Sequence, residues 1–141
     1  MIKNRVFLDT NIVIDLIDSS RKSYLLSLSL IEYLTLHDYD IYISEDMLST
    51  IYYISKDKKA TLEMFENLIF IDWSVVGYGS DTIQEAVKLS LINNLDLEDV
   101  LQCLCAKKNG CEVLLTNDKR FYNCGISICN AKEFLAKEDE C

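Results

Sequence analysis

Five short runs rich in β-branched and aromatic residues punctuate the chain: VFLD (6–9), IYIS (41–44), LIFID (68–72), VLLT (113–116) and ISIC (126–129). They read as strands, because the stretches between them carry apolar residues at helical spacing. SYLLSLSLIEYLTL sets Leu25, Leu28, Ile31 and Leu34 on roughly one side. EDMLSTIYYI does the same with Met47, Leu48, Ile51 and Ile54, and DTIQEAVKLSLI with Ile83, Val87 and Leu91. Capping signals frame these helices. Asp81 with Gln84, and Asn130 with Glu133, have the spacing of a capping box. Asp96 is a candidate N-cap for LEDVLQCLCAKK, and Gly110 is a natural residue just past its end. Strands alternating with helices require crossover connections, hence a mainly parallel sheet flanked by helices. The expectation is a single doubly wound α/β domain over residues 1–141, with about five strands and with SVVGYGSD (74–81) as its principal loop.

Half of the 141 residues are hydrophobic, enough for a core of that kind. No apolar stretch approaches the roughly 18 residues of a membrane span. The first apolar run is broken by Asp9, unlike a secretory leader, so a cytoplasmic location is expected. A net charge of −9 argues against broad binding to nucleic acid through basic patches. It leaves room for an enzyme that meets nucleic acid through bound cations and a few local lysines. Six cysteines lie between residues 103 and 141, but there is no CxxC, and His37 is the sole histidine. A thiolate zinc site is therefore poorly supported. Cys105 and Cys111 fit apolar positions as buried, reduced thiols.

The acids are placed less evenly than the charge. Asp9 closes the first run, Glu45 and Asp46 follow the second, and Asp118 follows VLLT within LLTNDKRF. Asp99 sits in the first turn of the helix that starts near Asp96. Taken singly, an acid at a helix start is explained by the dipole, which it complements by ~0.3–1 kcal/mol. Together they imply more. In a doubly wound sheet the first strand lies beside a later one where the chain order reverses, and ligands bind at that edge. Asp9 and Asp118 are expected to meet there, with Asp99 overhanging them. Like charges so close raise one another's pKa unless a cation neutralises them. Oxygen donors without His or Cys favour Mg²⁺ or Mn²⁺, which suits phosphate chemistry.

Other phosphate chemistries fit less well. GxxxxGK[ST] is absent, which removes a P-loop. A phosphoaspartate enzyme would want a second aspartate two residues after the first, where Asn11 stands. Nucleophilic Ser/His or Cys/His catalysis would depend on His37, in a polar HDYD turn.

These stretches resemble a PIN domain, the metal-dependent ribonuclease fold common among bacterial type II toxins. VFLDTNIVIDLID is similar to the family's opening strand and DTN signature, and ISEDMLSTIYYI to its second strand and following helix. LDLEDVLQCLCAKKNGCEVLLTNDKRF resembles its acidic helix start, D-x-E-D-x-x-Q, followed by Gly and a strand that ends in a Thr-x-Asp-like turn. The resemblance implies a hydrolase that cuts RNA phosphodiester bonds with Mg²⁺ or Mn²⁺. It makes Asp9, Asp99 and Asp118 the metal-binding and catalytic acids, and Thr10, Asn11 and Thr116 the polar residues that hold these acids or a metal-bound water. Lys107, Lys108, Lys119 and Arg120 are candidates for phosphate contacts. An antitoxin protein and a homodimer are the implied partners, with Tyr52 and Tyr53 as candidate dimer contacts and core packing expected for at least one of them.

The chain departs from the family at Thr50, where many members carry Glu or Asp on the second helix. Thr50 offers no charge; Asp46, four residues earlier and so on the same helical face, is the candidate replacement. Lys119-Arg120 also stand before Phe121 where members often carry an Asp. The alternative reading is a catalytically weakened PIN-fold module that binds RNA or a protein partner.

Overall fold

The computed structural model describes residues 4–139. Its centre is a five-stranded sheet in the order β3-β2-β1-β4-β5. The strands are β1 (Arg5–Leu8), β2 (Asp40–Ser44), β3 (Ser74–Val76), β4 (Val113–Leu115) and β5 (Ser127–Cys129), and every neighbouring pair is parallel. Helices α1 (Thr10–Ile17), α2 (Tyr24–Leu36), α3 (Glu45–Ile54), α4 (Lys58–Met64), α5 (Phe70–Asp72), α6 (Ser80–Asn93), α7 (Leu97–Lys108) and α8 (Ala131–Asp139) supply the crossovers and flanks. Val6, Phe7 and Leu8 are buried completely, as a central parallel strand covered on both faces requires. The chain runs outward from β1 through β2 to β3, then returns to lay β4 on the other side of β1. The carboxyl ends of β1 and β4 therefore flank the switch point.

Two expectations about this part of the chain are corrected. LIFID is not a strand: Phe65–Ile69 forms a π-helical turn and Phe70–Asp72 continues as α5. The strand lies a little later, at Ser74–Val76, inside the segment expected to be a loop. Helix α4 starts firmly, with the Asp57 carboxylate accepting from Ala60 N, and Phe65 keeps helical backbone angles, so the helix carries on. A strand here would have had to shelter alternate residues. Instead Ile69 is buried while Phe70 and Ile71 are 60% and 70% exposed. Trp73, extended at φ −110°, ends the helix and begins β3.

Several apolar stripes are also rotated from where spacing puts them. On α2 the buried residues are Ser27, Leu30, Ile31 and Leu34, and Leu25 and Leu28 are exposed. On α3, Met47 and Ile51 are buried, but Ile54 is exposed. Tyr52 and Tyr53 both face solvent, so neither enters the core. On α6 the small side of the helix turns inward with Thr82 and Ala86, leaving Ile83, Val87 and Leu91 outside. Asp81 and Gln84 form no capping box there; the N-cap is Gly79, at φ 84°, and Gln84 Nε2 donates to Ser80 Oγ instead. The box at α8 does form, with Glu133 N donating to Asn130 Oδ1 at 2.7 Å and Asn130 N to Glu133 Oε1 at 3.2 Å.

Cys105 and Cys111 are buried free thiols, and burial pushes them up to about 11 and about 12. Cys103 and Cys124 are joined in a disulfide with Cα atoms 6.0 Å apart, tying α7 to the loop between β4 and β5. Cys141 lies outside the described residues. Among the described residues no helix is long and apolar enough to cross a membrane.

Candidate active site

The site begins where β1 stops. Asp9 N donates to Leu115 O at 2.9 Å, extending the β1–β4 ladder by one residue and fixing the Asp9 backbone against the neighbouring strand. Asp9 occupies the N-cap position of α1 but makes no capping hydrogen bond with its side chain. The carboxylate instead accepts from Thr116 Oγ1 at 2.7 Å, and it is only 5% exposed. Burial raises the Asp9 pKa above its ordinary value; the bonds from Thr116 and from the Thr10 backbone pull it down, and the Glu98 charge pushes it up again.

Thr116 also reaches the third acid, since its Oγ1 accepts from Asp118 N at 3.1 Å. Asp118 is exposed, and its Oδ1 accepts from Arg120 N at 2.9 Å in a tight turn. Asp99 stands across from both, on the first turn of α7, where its backbone N–H donates to the Asp96 cap at 3.2 Å. Its carboxyl is pushed up to about 7, first by burial and then by repulsion from Asp96, Asp9, Asp118 and Glu98. Acids that are remote in the chain thus act on one another at the switch point. They are near enough to couple electrostatically, yet among the described residues no three such side chains stand at metal-ligand spacing. The oxygen-only donor set fits a hard divalent cation, and Mg²⁺ needs few protein ligands because it keeps several waters.

The remaining residues divide. Asn11 lines a cleft of about 370 Å³ with Asp15, Arg21, Lys22, Asn117 and Asp118. Thr10 is buried, donating to Glu98 Oε1 at 3.3 Å and accepting from Gln102 Nε2 at 3.1 Å. Thr50 is exposed and donates to the Asp46 carbonyl one turn back, at 3.3 Å. The Asp46 carboxylate accepts from Ser44 Oγ at 2.5 Å and from Tyr78 OH at 3.2 Å. It is not among the charges that dominate the shift at Asp99. Lys107 and Lys108 are occupied by Cys124 O and Thr82 Oγ1, whereas Lys119 and Arg120 are exposed beside Asp118.

Three residues of this neighbourhood escape the reading by spacing. Asp15, buried on α1, pairs with Arg21 Nε at 2.6 Å and faces Asn117. Glu98 and Gln102 stand one turn apart on α7, with Gln102 Nε2 donating to Glu98 Oε1 at 3.2 Å. The signal for the last pair was a glutamine on the apolar face of a helix.

A parallel sheet that collects carboxylates at its switch point defines an α/β domain built to concentrate negative charge at a strand-end crevice. This chain belongs to the PIN domain family, whose model matches residues 6–126. Ribonuclease VapC1 of Aquifex aeolicus (strain VF5) is 35% identical to it over 141 residues, 97% of each chain. Solved structures share the fold at lower identity. VapC20 of Mycobacterium tuberculosis, a Sarcin-Ricin loop cleaving toxin, matches with a TM-score of 0.69 and 12% identity over 82% of this chain and 92% of its own. A toxin–antitoxin complex from Klebsiella pneumoniae matches at 0.67 and 18%, over 89% and 97%. VapBC2 from Rickettsia felis, bound to a DNA fragment from its promoter, matches at 0.65 and 21%, over 89% and 98%.

Proposed function

We propose that this chain is a divalent-metal-dependent endoribonuclease and the toxin of a toxin–antitoxin pair. The observation that carries the reading is the convergence of Asp9, Asp99 and Asp118 at the carboxyl ends of β1 and β4, where burial first, and then the charges of Asp96, Asp9 and Asp118, push the Asp99 carboxyl up to about 7. The full-length likeness to a ribonuclease supports the substrate class. Asp9, Asp99 and Asp118 hold Mg²⁺ or Mn²⁺, which when bound supplies an activated water and neutralises charge on the phosphate. Thr116 orients Asp9 and favours its ionised form, Thr10 holds Glu98 beside it, Asn11 lines the cleft next to Asp118, and Lys119 and Arg120 contact the RNA backbone. Residues 1–141 act as one domain, a reading supported by the single sheet and by the packing of α8 on α2.

Two protein partners belong to the proposal: an antitoxin and a second copy of this chain. A groove of about 600 Å³, lined by Ile14, Ile17, Ile54 and Met64 together with charged residues such as Asp18 and Lys56, offers room for an antitoxin segment. The outward apolar residues of α6 suit self-association. The cell compartment is the cytoplasm, with no membrane partner.

Thr50, and the lack among the described residues of three acids at ligand spacing, favour a second reading, a PIN-fold module that binds RNA or protein without cutting. Purified wild type, Asp9→Asn and Asp99→Asn decide between them. The nuclease reading expects Mn²⁺ binding by calorimetry and RNA cleavage that both variants lose. Absence of Mn²⁺ binding by wild type at millimolar concentration would leave the module.

A further inference from the structure

Gln102 is a carboxamide at 0% exposure on the core side of α7, a place where a leucine would pack as well. A polar group is costly to bury unless its atoms are bonded. Nε2 donates into one corner of the site, to Thr10 Oγ1 at 3.1 Å and Glu98 Oε1 at 3.2 Å, and the same side chain also bonds toward Asp9. Thr10 Oγ1 closes the triangle by donating to the same Glu98 Oε1 at 3.3 Å. The amide orientation is fixed by chemistry, because turning it over would set a carbonyl oxygen against a carboxylate. Oε1 of Gln102 is left buried with no partner. A side chain that gives up one hydrogen bond in order to aim two donors is placed for what those donors hold.

What they hold is Glu98, whose residue is exposed at the mouth of the crevice and would otherwise swing in solvent. Glu98 Oε1 takes both donors, leaving Oε2 for another ligand. The triangle binds it to the residue directly after Asp9. Thr50 has no charge, and the Asp46 carboxylate is engaged by Ser44 and Tyr78. We infer that Gln102 is a positioning residue, and that the Glu98 it holds against Thr10 supplies the fourth carboxylate of the metal site, filling the place that Thr50 leaves open. The inference rests on the metal-dependent reading above.

Calorimetric Mn²⁺ titration of the metal-free whole chain tests it, alongside thermal melts. Glu98→Gln and Gln102→Leu should each weaken Mn²⁺ binding by roughly 10-fold or more, the scale of lost supporting contacts at metal sites. Glu98→Asp should restore part of the loss. The loss in the double variant should be smaller than the sum of the two single losses, because Gln102 acts in large part through Glu98. Metal-free Gln102→Leu should melt no lower than wild type, having lost an unpartnered buried oxygen, which separates positioning from a merely structural role. Wild-type affinity in Glu98→Gln, with binding lost in Asp99→Asn, would overturn the inference and leave the nuclease reading standing. Wild-type affinity in Gln102→Leu would overturn the role of Gln102. Failure of the wild type itself to bind Mn²⁺ would overturn both readings.

Discussion

Thr116 Oγ1 donates to Asp9 Oδ2 across 2.7 Å, joining residues 107 positions apart. The same hydroxyl oxygen accepts from Asp118 N, so one threonine at the end of β4 sets the distance between the first acid and the last. Thr116→Val keeps the shape and removes the donor from a buried carboxylate. It should cost about 1–3 kcal/mol of stability at neutral pH, the usual penalty for an unsatisfied buried group. Mn²⁺ affinity should fall with it, and chemical denaturation with calorimetry measures both. A variant as stable as wild type that binds metal normally would show Thr116 to be incidental.

Asp99 makes the metal-free protein sensitive to pH in an unusual direction. Its folded pKa, about 7, lies above the ordinary 3.8, so the folded chain holds this proton more tightly than the unfolded chain does. Between those values the unfolded state has already lost the proton, and stability contributed by this group falls as pH rises. The raised pKa of Asp9 acts in the same sense. Metal-free protein should therefore lose stability between about pH 4 and pH 7, and Asp99→Asn should flatten the profile. With Mn²⁺ present the trend reverses, because binding requires deprotonated carboxylates and releases protons. Melting curves across this range, with and without Mn²⁺, read out both signs.

The disulfide between Cys103 and Cys124 closes a loop of sequence separation 21 that contains β4 and the Asp118 turn. Cys103→Ser with Cys124→Ser should lower unfolding stability by about 2–4 kcal/mol. Treatment with a thiol reductant should reproduce that loss in the wild type and change nothing in the double variant. Equal denaturation midpoints for oxidised and reduced protein would contradict it.

Ile54 borders the groove proposed for an antitoxin but is exposed and lies outside the acid cluster. Ile54→Asp should abolish co-purification with the product of a short neighbouring open reading frame while leaving Mn²⁺ affinity unchanged. Retention of the partner by this variant would move the binding surface elsewhere.

Strands β1 and β4 were legible because a central parallel strand covered on both faces needs an unbroken apolar run, and β2 and β5 because β-branched residues recur there at alternate positions, Ile41 with Ile43 and Ile126 with Ile128. Strand β3 was not. It is three residues long and half-buried at the sheet edge, and the apolar Leu68–Ile71 run before it suits either period. Asn130 and Glu133 could be read as a capping box and form one, whereas Asp81 and Gln84 have the same spacing and do not. Spacing permits a cap, but the chain's path into the helix decides it. At the site, Asp9, Asp99 and Asp118 follow from the rule that strand ends gather ligands, and the structure couples them. Gln102 closes the D-x-E-D-x-x-Q stretch, but what it does there was hidden, because a polar residue is assigned to solvent by default and only its burial reveals its use. The disulfide was hidden too, since pairing depends on proximity that cysteine counting does not contain.

The position of β1 in the sheet governs when the acid cluster can assemble. The strand synthesised first ends in the middle, and one of its two partners, β4, leaves the ribosome in the last quarter of the chain. A nascent chain that has passed residue 99 but not residue 115 contains Asp9 and Asp99 but has neither Thr116 to hold the first nor Asp118 to complete the set. The cluster therefore closes only once β4 has been laid beside β1.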